Sequence, residues 1–279
     1  MTEASNIPES AFLSSSSEAL SRKNWRLLRR ILPASLWGYL YSLREKLSAL
    51  RLSRSVISEL TSPVISRGEL SENFANPLAH SQQHASIEDE LRIAWRTNES
   101  EGKEQCGYHR IYAPLLAQIR ATPNTRILEI GIYRGGSHRA WRDLTTDTEV
   151  LGIDIDPATL IEEERITSTV GDQIRLESLE SAVKKLGGSF DLVIDDGWHQ
   201  PEAGLKSLQL LLPRLRPDGW YVLEDIAAQK YGQLWRRFVR KLPRPFVAQI
   251  LTGAELPELV EVGYELLIIR RMSDTTPVG

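Results

Sequence analysis

The stretch that decides the fold is FDLVIDDGWH, at residues 190–199. Its valine and isoleucine favour a buried β-strand, and its glycine permits a sharp turn where the strand ends. The apolar run stops at Asp195 and Asp196, and His199 follows three residues later. Because ligands of open α/β sheets bind beyond the carboxyl ends of the strands, we expect these three side chains at a ligand site.

A second strand with the same kind of ending occurs further along the chain. The run Trp220–Leu223 is followed directly by Glu224 and Asp225. The two strand ends together supply four carboxylates and one imidazole, and hard oxygen ligands of this kind suit Mg²⁺ or Ca²⁺. The alternative is that the carboxylates only cap the turns and helices that follow. Because acidic residues cluster at two strand ends, we favour a metal site over simple capping.

The composition is that of an ordinary soluble protein. The chain has 279 residues, of which 41% are hydrophobic and 25% charged, enough for one large domain with appendages. A formal net charge of -3 gives no support for nucleic-acid binding. The single cysteine, Cys106, excludes an internal disulfide and a cysteine-built zinc site.

Four segments are predicted along the chain. They are a Ser-rich disordered tail (1–23), a basic amphipathic helical region (24–60), a linker (61–85) and an α/β domain (86–279). The helical region combines Trp25 and Trp37 with several arginines, a pattern found in helices that lie on anionic membranes. The alternative is a helix packed on its own domain or on a partner subunit. The sequence shows neither a signal peptide nor a transmembrane run, so we expect a cytoplasmic protein, membrane-associated if the first alternative holds.

The α/β domain is predicted to begin with helices. A capping box at Ser86 and Asp89 indicates a helix that runs to about Trp95. A polar loop over the site (97–107) and a second helix (108–119) follow.

Strands then alternate with helices, which predicts an α/β fold with a Rossmann-like, doubly wound and mostly parallel sheet. The N-terminal helices are an appendage to it. The predicted strands are 126–131, 150–154, 167–170, 190–194, 219–223 and 264–269. The predicted helices follow the first glycine-rich turn, begin at Pro157, and span 176–186, 202–215 and 234–239.

The first strand leads into a glycine-rich turn, LEIGIYRGGS, at residues 128–137. Gly131 and Gly135 let the backbone approach a ligand closely. Their spacing is not the dinucleotide fingerprint, and the turn has no lysine for a phosphate loop. Glu129 disfavours a phosphate but can attract the cationic end of a ligand.

Two further strand ends define the ligand. Asp154 ends the second strand about 20 residues after the turn, where a carboxylate usually accepts ribose hydroxyls. Asp156 is the competing candidate, but it precedes Pro157 and more plausibly caps a helix. Asp172 ends the third strand, where an adenine amino group could donate to it. An adenosine that carries a cationic amino acid and no phosphate is S-adenosylmethionine.

These motifs resemble those of class I S-adenosylmethionine-dependent methyltransferases. The matching pieces are LEIG (128–131), GIDID (152–156) and VGD (170–172). The resemblance covers about residues 105–270. A narrower resemblance rests on GGS (135–137), DDGWH (195–199) and VLED (222–225). It points to the metal-dependent sugar O-methyltransferases of macrolide biosynthesis (mycinamicin and macrocin type), with the rhamnosyl O-methyltransferases and the cephalosporin hydroxylase family.

The narrower resemblance implies roles for particular residues. In that family the second aspartate of the pair and the later Glu-Asp hold Mg²⁺, and the histidine three residues after the metal aspartate is the general base. Trp198 stands where the family usually has a small residue. An acidic residue and a lysine, then a histidine, often precede the first strand of the family, and residues 101–103 and 108–109 match this loosely.

The predicted site comprises three sets of residues. The catalytic set is His199 and Asp196. The metal set is Asp196, Glu224 and Asp225. The cofactor set is Glu129, Gly131, Tyr133, Gly135, Ser137, Asp154, Asp172 and Asp195.

The expected function is Mg²⁺-dependent O-methylation, with S-adenosylmethionine as donor, of a sugar hydroxyl in a glycosylated natural product or glycolipid. A small-molecule or lipid-linked glycoside is the expected partner, nucleic acid is not, and a homo-oligomer is left open. The alternatives are a non-catalytic S-adenosylmethionine-binding scaffold, a methyltransferase for a phenol, a catechol or another small molecule, and one for a protein or RNA.

Overall fold

An eight-stranded sheet organises the larger compact unit of the chain, Ala49–Gly279. The computed structural model describes residues 34–60 and 84–273. The strands are β1 (Arg126–Ile130), β2 (Glu149–Asp154), β3 (Glu162–Glu163), β4 (Ile166–Val170), β5 (Phe190–Asp195), β6 (Leu215–Ala227), β7 (Phe246–Leu251) and β8 (Tyr264–Arg271).

The strand order is β3-β4-β2-β1-β5-β6-β8-β7. The five strands from β4 to β6 in this order pair in parallel, whereas β3, β8 and β7 pair antiparallel. The chain runs outward from β1 in both directions, first through β2 and then through β5, so β1 and β5 mark the topological switch point. Ligands of doubly wound sheets bind at such a point. The predicted doubly wound, mostly parallel sheet is confirmed.

Helices cover both faces of the sheet. They are α1 (Ala34–Leu60), α2 (Ala85–Thr97), α3 (Glu101–Gln105), α4 (His109–Ala121), α5 (Gly136–Asp143), α6 (Leu176–Leu186), α7 (Pro201–Leu211), α8 (Ala228–Val239) and α9 (Glu258–Val262). Alternate residues of a strand point to opposite faces. Val193 of β5 therefore joins one apolar cluster with α6, α7 and α8, while Leu192 and Ile194 join another with α2, α4 and α5.

Helix α1, Ala34–Leu60, lies within the predicted helical region 24–60. The chain divides into two compact units, Met1–Ser48 and Ala49–Gly279. In the larger unit, Val56 and Leu60 of α1 are buried in the first apolar cluster. This part of the helix is therefore packed on its own domain. In the smaller unit, α1 exposes 64% of Tyr39.

Several predictions lie outside the described residues. They concern the tail 1–23, the beginning of the helical region 24–60 and most of the linker 61–85. The predicted domain boundaries stay predictions.

The segment before the sheet departs from its prediction in two places. The capping box is wrong, because α2 begins at Ala85 and its first turn has no side-chain cap. Asp89 instead pairs with Arg92 on the same helix. The stretch 97–107 is predicted as a loop but contains α3, a helix of five residues.

Other differences concern short or edge elements. The helix predicted at Pro157 is only a 3-10 turn of three residues. The cap predicted for Asp156 is confirmed, since its Oδ1 accepts a hydrogen bond from the Ala158 backbone N–H at 2.8 Å. Strands β3 and β7 and helix α9 are not predicted. β3 has two residues, and the middle of the edge strand β7 is only half-buried, so neither gives a clear alternation.

Candidate active site

A cavity of about 880 Å³ lies at the carboxyl ends of the parallel strands. It is lined by residues at or just after the carboxyl ends of β1, β2, β4 and β5, by Glu224 and Asp225 within β6, and by residues of and around α3. Most of the predicted site residues line it as well. They are Glu129, Gly131, Tyr133, Ser137, Asp154, Asp172, Asp196, Glu224 and Asp225. The volume is typical of a ligand-binding pocket.

The turn after β1 touches the backbone that follows β5. Gly131 has a φ of +96°, and a Cβ at this position would lie 2.2 Å from the carbonyl oxygen of Asp196. Any side chain would separate the two strand ends. Gly135, with a φ of +75°, is the left-handed residue from which α5 starts. It shapes the turn, and its predicted contact with a cofactor stays a prediction.

Asp154 receives backbone hydrogen bonds from the same turn. Its Oδ2 accepts from the N–H groups of Ile132 at 2.8 Å and Tyr133 at 3.3 Å. Burial raises the pKa of the Asp154 carboxyl, but backbone donors, including Asp156, outweigh burial and hold the pKa below its ordinary value. Asp154 is therefore an ionised acceptor at the cavity wall. Its Oδ1 accepts one backbone hydrogen bond, from the N–H of Asp156 at 3.0 Å, and keeps an acceptor position for a ribose hydroxyl.

Glu129 lies at the floor of the cavity and is 1% exposed. Ser137, at the start of α5, donates a hydrogen bond to Glu129 Oε2 at 2.7 Å. The Nζ of Lys103 lies 3.2 Å from Glu129 Oε1. The carboxylate thus has a fixed orientation and faces the space in which a cationic ligand group could lie.

Asp195 departs from its prediction. Its carboxylate is buried beneath the cavity, where it accepts hydrogen bonds from Gln173 Nε2 at 2.5 Å and Tyr221 Oη at 2.7 Å. Burial raises the pKa of Asp195. Both of its oxygens are engaged inside the protein, and this placement argues against a cofactor contact. Gln173 also accepts from the backbone N–H of Trp198 at 2.9 Å, so the network supports the turn after β5.

Asp172, by contrast, lines the cavity as predicted. Its Oδ1 accepts a hydrogen bond from the Ile174 backbone N–H at 3.0 Å. One side of the carboxylate is thereby fixed, and the other oxygen remains for a ligand.

Asp196, His199 and Asp225 form a group that could hold a metal ion. One ligand atom from each lies within 4.8 Å of the others, and His199 Nε2 is 3.9 Å from Asp196 Oδ1. The donors are two carboxylates and one imidazole, and carboxylate oxygens are what Mg²⁺ prefers. Tyr108 donates a hydrogen bond to Asp225 Oδ1 at 2.6 Å. Burial raises the pKa of Asp225, which this hydrogen bond opposes.

Glu224 is placed differently from its neighbour Asp225. It is 1% exposed, and Lys103 Nζ donates to its Oε2 at 2.5 Å, while the hydroxyl of Tyr112 donates to Oε1. Burial raises the pKa of Glu224, and the Lys103 ammonium opposes this. The structure thus brings together two of the three predicted metal ligands, and the third contacts a lysine.

Comparison with known proteins identifies a domain within the chain. Residues 128–226 match the family model described as a methyltransferase domain. The chain contains a methyltransferase domain. The matched residues include the glycine-rich turn, the aspartate pair and the Glu-Asp pair. These are the motifs that carry the methyltransferase resemblance of the sequence, and the resemblance is confirmed.

Two curated relatives are similar to this domain. Demethylmacrocin O-methyltransferase of Streptomyces fradiae is 41% identical over 108 residues, which are 36% of this chain and 27% of the relative. Mycinamicin VI 2''-O-methyltransferase of Micromonospora griseorubida is 37% identical over 108 residues, again 36% of this chain and 27% of the relative. The chain thus spans about a quarter of the length of these relatives.

Among solved structures, the MycE methyltransferase from the mycinamycin biosynthetic pathway, in complex with Mg and SAH, is similar to the chain. It is 33% identical with a TM-score of 0.41, over 47% of this chain and 34% of that one.

Residues that contact the predicted carboxylates come largely from outside the sequence motifs of the methyltransferase domain. They are Lys103, Tyr108, Tyr112, Gln173 and Tyr221. The loose family match at residues 101–103 was a signal for the lysine. Tyr108 directly precedes α4 and Tyr112 lies on it. Because they are four residues apart, their side chains lie on one face of the helix. The histidine of the loose match, His109, is buried instead, and burial lowers its pKa.

We expect Tyr221→Phe to lower the free energy of unfolding by about 1–3 kcal/mol, because it removes one of the hydrogen bonds that the buried Asp195 carboxylate accepts. Chemical denaturation measures the change. Tyr39→Phe is the control, since Tyr39 is 64% exposed, and it should change stability by less than about 0.5 kcal/mol. Equal effects of the two substitutions would contradict the supporting role of this network.

Proposed function

We propose that this chain is a Mg²⁺-dependent O-methyltransferase that transfers a methyl group from S-adenosylmethionine to a sugar hydroxyl of a glycosylated natural product or glycolipid. The observation that carries the proposal is that Asp196 and Asp225, which with His199 could hold a metal ion, line the same cavity as most of the predicted cofactor residues. The names of the relatives support the reaction type.

The cofactor residues suit an adenosine joined to a cationic amino acid. Asp154 offers carboxylate oxygens to the ribose, Asp172 offers one to the adenine amino group, and Glu129 faces the amino acid end. The glycine-rich turn brings backbone close to the ligand, and it has no lysine of the kind that a phosphate loop uses. MycE, a similar protein, is in complex with SAH, which supports this choice.

The metal residues suit a hard divalent cation. Asp196 and Asp225 would hold Mg²⁺, with Glu224 as a third ligand if it exchanges its contact with Lys103. A bound Mg²⁺ would lower the pKa of a coordinated hydroxyl. Mg²⁺ held by a few carboxylates would keep other coordination positions for water or a substrate oxygen.

His199 is suited to be the general base. A sugar hydroxyl becomes a good nucleophile only as it loses its proton, and an imidazole can accept a proton near neutral pH. The side chain of His199 is 39% exposed and lies beside Asp196, so substrate can reach it. The methyl group moves by in-line displacement, for which the protein mainly supplies position.

The cavity also offers exposed apolar surface to a substrate. Trp198, 56% exposed, and Ile155, 65% exposed, both line it. Exposed apolar side chains around a pocket are typical of a binding surface. An apolar aglycone or lipid attached to the sugar would cover this surface, which favours a glycoside over a free sugar.

The remaining predictions concern membrane contact, cellular location and oligomeric state. Among the described residues, no helix is long and apolar enough to cross a membrane. Peripheral membrane contact, cytoplasmic location and a homo-oligomer stay predictions.

The function is tested by a methyl-transfer assay with S-adenosylmethionine and a panel of glycosides, phenols and catechols. We expect transfer to a glycoside, loss of activity with EDTA, and recovery with excess Mg²⁺. Transfer to catechols alone would assign a different substrate class. Cofactor binding without any transfer would indicate the non-catalytic scaffold.

We expect Asp154→Ala to weaken binding of S-adenosylhomocysteine by about 1.5–3 kcal/mol, the usual contribution of hydrogen bonds to a charged group. Isothermal titration calorimetry measures it. Asp156→Ala is the control, because Asp156 caps the neighbouring 3-10 turn, and it should retain the affinity. Unchanged affinity in Asp154→Ala would remove this residue from the cofactor site.

We expect His199→Ala to lose roughly 10²–10⁴-fold in turnover, the usual contribution of a general base. Calorimetry should show that the variant still binds Mg²⁺ and S-adenosylhomocysteine. His84→Ala is the control, since His84 precedes α2 outside the site, and it should keep its activity. A His199→Ala enzyme with near-normal turnover would exclude His199 as the base.

A further inference from the structure

Lys103 is the central cation of the carboxylate cluster. Its Nζ lies 2.5 Å from Glu224, 3.0 Å from Asp196 and 3.2 Å from Glu129. The residue is 6% exposed. Burial disfavours the charged lysine, but the three carboxylates outweigh burial and raise its pKa well above the ordinary value. Lys103 is therefore a buried ammonium that contacts both the cofactor side and the metal side of the cavity.

Lys103 occupies one oxygen of each of two predicted metal ligands, Asp196 and Glu224. Asp196 directs Oδ2 to Lys103 and Oδ1 to His199. Glu224 has both oxygens engaged, one by Lys103 and one by Tyr112. A divalent cation bound by Asp196 and Asp225 would share the Asp196 carboxylate with the ammonium and repel it. Ligation by Glu224 would require the ammonium to leave Oε2.

We propose that Lys103 is a tethered cation that competes with the divalent metal for Asp196 and Glu224. This rests on the proposed metal site. Without metal, the ammonium neutralises the buried carboxylates and keeps the site folded. With metal bound, part of the attraction between metal and carboxylates is offset by the nearby positive charge. Lys103 thus weakens metal binding, although it lies among residues of the metal site.

The location of Lys103 makes such competition feasible. It lies on α3, a helix of five residues that lines the cavity and is outside the sheet. Arg96 of α2 pairs with Glu104, which ties α3 to the preceding helix. A short helix held by a few polar contacts can shift more easily than a strand in the centre of a sheet.

The test is the affinity of the full-length protein for Mg²⁺ alone, measured by calorimetry without cofactor. We expect Lys103→Met to bind Mg²⁺ at least about tenfold more tightly than the wild type, because a unit charge a few ångströms away is removed. Lys103→Arg keeps the charge and should stay within about threefold of the wild type. The control Lys184→Met removes an exposed lysine of α6 and should leave the affinity unchanged.

The outcomes separate this proposal from the proposed function. If the wild type binds Mg²⁺ and Lys103→Met binds it no more tightly, the competition is overturned and the metal site stands. A variant with unchanged metal affinity but weakened binding of S-adenosylhomocysteine would overturn it too and assign Lys103 to the cofactor. If no form of the protein binds Mg²⁺, the proposed metal site fails with it.

A second measurement needs no variant and decides the matter if Lys103→Met does not fold. Hydrogen–deuterium exchange of the wild type, with and without saturating Mg²⁺, follows the backbone amides of residues 101–107. Competition predicts faster exchange of these amides with Mg²⁺, because Lys103 loses contacts that hold α3. Unchanged or slower exchange would overturn the proposal.

Discussion

The site depends on compensation of carboxylates that the fold removes from water. Glu129, Asp195 and Glu224 are each 1% exposed, and a buried charge without partners costs several kcal/mol. Two of them, Glu129 of β1 and Glu224 of β6, contact the single ammonium of Lys103. The third accepts hydrogen bonds from neutral donors instead. The protein therefore needs a particular set of donors before a ligand arrives, and their positions decide which oxygens remain for ligands.

Those donors explain why the segment before the sheet is part of the site. The parallel strands place acidic residues at the cavity. Among the contacts described above, none of the basic residues comes from these strands. The ammonium comes from α3, and the hydroxyls of Tyr108 and Tyr112 come from the start of α4. Gly136 fixes this segment against the turn after β1, since a Cβ there would lie 2.2 Å from the carbonyl oxygen of Asn98. The helices before β1 thus complete a cavity that the sheet only begins.

The sequence predicted the sheet and most of the acids at its edge, because strand ends and turns are local features. Asp195 could have been separated from Asp196 by the two-residue period of a strand: it lies two residues after Val193 and so shares the face of the first apolar cluster. Lys103 could not have been placed in this way. A helix of five residues has no periodicity to detect, and charge compensation across 93 and 121 residues of chain is visible only after folding. The loose family match at residues 101–103 indicated a lysine but did not predict which carboxylates it contacts.

The backbone itself is adjusted where the two acids of β6 meet the cavity. In a regular strand, Glu224 and Asp225 would point to opposite faces of the sheet. The pairing of β6 with β8 shifts register between Leu223 and Ile226, and Asp225 has a φ of +54°. Irregular pairing of this kind changes the direction of side chains beside active sites.

His199, with a φ of +34°, also adopts this sparsely populated left-handed region, which costs of order 1–3 kcal/mol for a residue that is not glycine. Such conformations persist only where surrounding contacts over-determine them, and the hydrogen bond from Tyr108 to Asp225 and that from the Trp198 backbone to Gln173 supply such contacts. The backbone positions of Asp225 and His199 are therefore maintained against local backbone preference by hydrogen bonds of neighbouring residues.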